Sequence, residues 1–220
     1  RRWRGSTVSP STSARSRRLA DPARRWHHPI VGTSVVGRIK GSVILTHLES
    51  VRHRLGPAET DRLLSLMAPE VRREIASMHA SSMVDERLNL ELNRIIFEQH
   101  GMPMVAELAG GAQRELMKRT HAFFLRLAGP KNLVRIAASS WRLFRDTGSA
   151  EAKMLGELSG ELVVRGHVPM REPYYREAYL HAALAAISAT NVSEPRGRHV
   201  LEDNGDARFT FEWRPREKAR

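Results

Sequence analysis

Near the end of the chain Phe209, Phe211 and Trp213 alternate with Arg208, Thr210 and Glu212, the period of two that marks a strand with one buried face. The run Asp203-Asn204-Gly205-Asp206 just before it tolerates positive φ, so the strand is read as the return of a hairpin begun around Arg198 to Glu202. At the other end, Ile39 to Leu45 reads as a short strand leading into a helix through Leu48, Val51 and Leu55 that stops at Gly56-Pro57. Between these ends the apolar positions change to a helical spacing. Helices are expected over Ala58 to Met67, from Pro69 through Ile75, and over Ser82 to Gln99, where Ser82 and Asp85 fit a capping box and Leu88, Leu92, Ile95 and Ile96 form the stripe. A short helix from Pro103 to Leu108 is expected to end at Gly110-Gly111, with a longer one over Gln113 to Leu127 and another from Leu133 to Phe144 after the break at Gly129-Pro130.

The pattern then returns to strands. Ala150 to Leu158 and Glu161 to Val168 flank Ser159-Gly160 as a hairpin, and Pro173 opens a helix to about Ala189 with Tyr175, Tyr179, Ala182, Ala183, Ala186 and Ile187 on one side. The small side chains of that face suit a close neighbour, either the sheet of the same chain or a helix of a second copy. Runs of helices followed by a strand-helix-strand module predict an α+β fold, a helical N-terminal half packed on a small antiparallel sheet formed mainly by the C-terminal half. Residues 1–35 carry eight arginines against one aspartate, with Pro10, Pro22 and Pro29 and no periodicity; they are expected to be a disordered basic arm. An alternative is that they belong to an upstream reading frame, with the native start near Val35 or Val36. Residues 36–214 then form one α+β domain and 215–220 a basic tail.

Charge and composition narrow the role. The net charge of +12 resides mainly in the arm and the tail, so the body is nearly neutral and a nucleic-acid partner is expected only through the arm. The absence of cysteine removes disulfides, thiolate metal sites and cysteine nucleophiles. No apolar run is long enough to span a bilayer, and a cytoplasmic location is expected. His47 and His53 do not share a helical face, and no His-Glu-x-x-His, nucleotide-binding glycine loop or Gly-x-Ser-x-Gly turn occurs. Neither a catalytic nor a metal site is therefore predicted. His121, on a face with Met117, Phe124 and Leu125, has a placement open to an iron or metal ligand, but it is read as a hydrogen-bonded core residue, since a ligand also needs a converging site.

Four segments carry a resemblance: Ile39-Lys40-Gly41-Ser42-Val43-Ile44, Phe124-Leu125-Arg126-Leu127-Ala128-Gly129-Pro130, Trp141-Arg142-Leu143-Phe144, and the closing stretch from Gly205 to Trp213. With these, residues 37–214 resemble a family of uncharacterised myxobacterial paralogues. More distantly, the opening Lys-Gly strand and the closing Phe-x-Phe-x-Trp strand are similar to the superfamily of heme-nitric-oxide-binding domains, vinyl-reductase-like ligand-binding domains and transport-complex subunits. The resemblance implies an α+β scaffold around an apolar ligand pocket. It does not carry over the chemistry. Arg208 stands where vinyl-reductase-like relatives commonly have a cysteine, and none of Tyr174, Tyr175 and Tyr179 begins the Tyr-x-Ser-x-Arg motif that holds heme propionates. No cofactor is expected. The resulting reading is a non-enzymatic small-molecule-sensing or protein-interaction module whose small apolar ligand meets Phe124, Trp141, Phe144 and Tyr179, with a protein partner or a homodimer as the receiver. The alternative is a nucleic-acid-binding protein using its Arg-rich N-terminal arm.

Overall fold

The computed structural model describes residues 36–216, with residue 121 and the side chains of 119–128 outside that set. The arm 1–35 and residues 217–220 likewise lie outside the described residues.

The chain opens with β1 (Arg38–Lys40), which pairs antiparallel with β2 (Met83–Asp85), and Ile39 at its centre is fully buried. The expected opening strand is cut to three residues because the ladder is exchanged for a helix: the Gly41 and Ser42 N–H groups donate to the carbonyls of Ser82 (2.8 Å) and Ala80 (2.9 Å), satisfying the start of α1 (Gly41–Leu55). α2 (Pro57–Ser65) and α3 (Pro69–Ala76) follow, each with its proline in the first turn as expected. The helix expected from Ser82 begins later, as α4 (Arg87–His100), and the Ser82–Asp85 capping box does not form. Residues 83–85 are held as a strand by β1, and Asp85 instead accepts the Arg87 N–H at 2.8 Å.

α5 (Met102–Thr120) runs straight through Gly110 and Gly111, where a break was expected. The glycine is there for proximity rather than for a turn. A Cβ at Gly111 would lie 2.6 Å from Ser50 Oγ, whose hydroxyl donates to the Leu108 carbonyl at 2.9 Å, so α1 and α5 touch through the missing side chain. α6 (Ala122–Phe144) is kinked at the expected Gly129-Pro130, with Gly129 at φ 67° and ψ 169°.

The C-terminal half supplies β3 (Ser149–Gly156), β4 (Ser159–Arg165), a short 3-10 helix (Val168–Arg171), α7 (Pro173–Ser188), β5 (Val192–Leu201) and β6 (Ala207–Pro215). The last four strands form one antiparallel sheet in the order β3-β4-β6-β5. The predicted α+β architecture is present. Along β6, Ala207, Phe209, Phe211 and Trp213 are buried, Phe209 completely, each large ring contributing about 1.5 to 3 kcal/mol. α7 packs against α5 and β5; of its expected Ala-rich side Ala186 is buried while Ala182 and Ala183 are half-buried, and Ala178 and Ala185 are buried besides. Buried apolar side chains gather into two clusters. One lies among α1 to α5, around Ile44, Leu63, Leu92 and Ile96; the other lies on the sheet, around Trp141, Met170, Tyr175, Phe209 and Trp213.

Candidate functional site

A group of charged and polar side chains meets where these elements converge. Glu86, the residue before α4, is completely buried and is anchored by its N–H to the Gly37 carbonyl at 3.0 Å. Its Oε1 accepts Arg145 Nε at 3.0 Å and the Tyr175 hydroxyl. Arg145, just past the end of α6, also donates to Tyr175 Oη at 3.3 Å; its guanidinium lies 4.6 Å from the centroid of the Trp141 ring and 5.7 Å from that of Tyr179. His167 brings Nε2 to 3.3 Å from Glu86 Oε1, close enough to feel its charge but off the line of a hydrogen bond. The imidazole edge meets Trp141 with 5.0 Å between centroids, and Nδ1 is 3.5 Å from Thr147 Oγ1. Trp141 Nε1 donates to the Thr147 carbonyl at 2.9 Å.

Charge states follow from this packing. Burial pushes the Glu86 carboxyl up, but the Arg145 charge, with His167 and Tyr175 beside it, outweighs burial and holds it below the usual carboxylate range. Burial lowers His167, only partly countered by Glu86, and raises Tyr175. The cluster therefore holds one anion and one cation around two neutral groups. Two hydrogen-bonding atoms in it, Glu86 Oε2 and His167 Nε2, are buried with no hydrogen-bond partner, a cost of about 1 to 3 kcal/mol each.

Of the four ligand-contact residues expected from the sequence, Trp141 and Tyr179 come together, 5.9 Å apart, with the Tyr179 ring tilted against Phe209 at 5.2 Å. Phe144 is half-buried at the end of α6. The Phe124 side chain and His121 lie outside the described residues. The setting of Trp141 and Tyr179 is less apolar than expected, because the Arg145 guanidinium covers both rings. Tyr175 was legible as sharing a helix side with Tyr179, whereas Glu86, Arg145 and His167 were not singled out. The signal for Arg145 was its i, i+4 spacing from Trp141; Glu86 and His167 left no local mark.

Two open concavities lie elsewhere. One, of about 540 Å³ between α7 and β5, contains Glu177, whose carboxylate meets Nε2 of both His181 and His199 at 3.1 Å. The other, of about 420 Å³, runs along β3. Among the described residues no group of three or more His, Asp or Glu side chains is arranged to hold a metal. Asp203 to Asp206 form a turn, with Asn204 Oδ1 accepting the Asp206 N–H at 2.9 Å. No described helix is long and apolar enough to cross a membrane.

The helix histidine with the placement of an iron ligand, His121, lies outside the described residues. Among those described, the two deeply buried imidazoles are His47 and His167. His167 is wedged between Glu86 and Trp141, while His47, lowered to about 4 by burial against the weaker effect of an Asn89 hydrogen bond, sits within α1, and neither concavity is lined by either ring.

No family model matches the sequence, and no curated protein matches it. Solved structures do match in architecture. An H-NOX protein from S. oneidensis in the Fe(II)NO state superposes with a TM-score of 0.60 at 12% identity, over 80% of this chain and 99% of that one. The unliganded Fe(II) H-NOX protein from K. algicida gives 0.57 at 11%, over 83% and 100%. An oxygen-binding H-NOX domain related to soluble guanylate cyclases gives 0.55 at 13%, over 83% and 99%. At such identities the likeness is one of backbone alone: the chain has the α+β fold of the H-NOX domains.

Proposed function

We propose that this chain is a non-enzymatic sensing module that registers a small molecule where its helical and sheet cores meet. One observation carries the reading: Glu86 Oε2 is buried without a hydrogen-bond partner, in the cluster where His167 meets Trp141 and Trp141 meets Tyr179. Unmet hydrogen-bonding capacity at that depth is costly to keep, and a ligand with one hydrogen-bonding group satisfies it. Its apolar body would rest on Trp141, Phe144 and Tyr179, with Phe124 as a further wall. The H-NOX architecture supports a sensor, although fold alone does not specify function. The narrower kinship with the myxobacterial paralogues belongs to the same proposal and is supported by the closing Phe-x-Phe-x-Trp strand.

Thermal shift with short aliphatic alcohols, each paired with the alkane of equal length, tests the reading. A ligand at a hundred times its Kd stabilises by about 2.7 kcal/mol. The alcohols should raise Tm more than the alkanes, and Glu86→Gln or Tyr179→Ala should abolish the difference. Equal or absent shifts across every pair would refute it.

A further inference from the structure

The two edges of the four-stranded sheet are finished differently. β5 is guarded: Pro195 interrupts it, its register slips between Ser193 and Arg196, and Glu194 sits at φ 48°. Such irregularity keeps a second strand from pairing. β3, at the opposite edge, pairs among the described residues with β4 alone, contains no proline, and keeps regular register from Ser149 to Met154. The concavity beside it is lined by Ala150, Glu151, Ala152 and Lys153 in succession. It also takes in Glu161, Val163 and Arg165 of β4 and Arg208 of β6, so it spreads from this edge over the neighbouring strands. Ala138 of α6 also lines it.

We infer that this edge pairs with β3 of a second copy of the chain, antiparallel, about a two-fold axis at Ala152. Charge selects that occupant. Glu151 and Lys153 share the outer face of the sheet on either side of Ala152, so the two-fold axis sets Glu151 of each copy opposite Lys153 of the other. The strand is complementary to itself. Glu151 already meets Arg165, and Lys153 lies 3.1 Å from Glu161; pairing extends both contacts into an alternating network across the axis. The apolar surface agrees. α6 packs on β3, and the operation that joins the strands brings two copies of α6 side by side. This helix exposes Ile136 (49%) and Leu143 (64%), one above the other at i, i+7, large side chains that a neighbouring helix would cover.

Sedimentation of the full chain tests the pairing through charge. Glu151 and Lys153 side chains are 67% and 65% exposed, so reversing either leaves the body folded. The parent protein should dimerise, and E151K and K153E alone should each weaken association by about tenfold or more, because like charges then oppose at two places. An equimolar mixture of the two variants should recover a dimer containing one of each, and the double exchange E151K/K153E should dimerise like the parent. The inference is overturned by a parent that stays monomeric at every concentration, as it would if the edge served another protein's strand. It is equally overturned by single variants that dimerise unchanged, or by a mixture that remains monomeric.

Discussion

Replacing Arg145 with Met removes the one cation that faces Glu86 among the described residues while keeping the length of the side chain. In the parent, Arg145 Nε lies 3.0 Å from Glu86 Oε1, with 11% of the arginine side chain and none of the glutamate exposed. Breaking a buried pair from one side costs about 3 to 5 kcal/mol, since the remaining charge is left without compensation. Against a total of about 5 to 15 kcal/mol for a domain, that is a large share. At about 2 to 4 °C per kcal/mol for a body of this size, Tm should fall by roughly 6 to 20 °C. The pH dependence identifies the cause. In the parent the Glu86 carboxyl is held below its ordinary value of 4.5, so its contribution is present above that value and is lost as pH falls through the folded pKa. In the variant, burial is opposed only by the weaker effects of His167 and Tyr175 and raises the carboxyl above 4.5, so the penalty is greatest at neutral pH and fades on acidification towards that value. The Tm gap between parent and variant, measured by calorimetry from pH 7 down to about 4.5, should therefore narrow. Adding Glu86→Gln should recover part of the loss at neutral pH. A gap that stays constant with pH, or a double variant no better than the single, would mean that only packing was lost and that the ion pair does not act as described.

Three further outcomes follow from the core. His47 is lowered by burial to about 4, so the unfolded chain takes up a proton from about pH 6.5 downwards while the folded one does not. Stability should drop by about 3 kcal/mol across that window at 1.36 kcal/mol per unit, and denaturant midpoints of His47→Gln should show a flatter dependence. Gly111→Ala forces a Cβ to 2.6 Å from Ser50 Oγ and should cost about 1 to 3 kcal/mol in chemical denaturation; adding Ser50→Ala, which leaves the nearest Ser50 atom at 3.9 Å, should return much of it. Phe209→Ala should cost about 3 to 5 kcal/mol, whereas Val200→Ala, on the exposed edge of β5, should stay within about 0.5 kcal/mol by the same assay.

Wherever local chemistry decided the backbone, the sequence was sufficient. The alternation of Phe209, Phe211 and Trp213 predicted a strand with one buried face, the prolines at 57, 69 and 173 opened helices, and Gly129-Pro130 predicted the kink in α6. These signals lie within a few residues of the feature that they determine. Elsewhere, tertiary contacts overruled them. Gly110 and Gly111 carry the composition of a helix end, yet α5 continues, with α1 filling the space that the missing side chain of Gly111 leaves and α7 backing Gly110. Ser82 and Asp85 fit a capping box, yet β1 draws residues 83–85 into a ladder. The candidate site lay furthest from view. Trp141 and Tyr179 were expected there for their aromatic character, but Glu86 meets residues 59 and 89 positions away in sequence, and nothing in its neighbourhood distinguishes it from a solvated glutamate. Periodicity reports which side of an element is apolar; whether a polar side chain is buried, and beside which charge, depends on how separate elements pack. The sequence alone therefore determined the order of helices and strands and the buried face of the last strand. Only the tertiary structure decided that an arginine, a glutamate, a histidine and a tyrosine share one interior site, because that depends on distances between elements that no local pattern encodes.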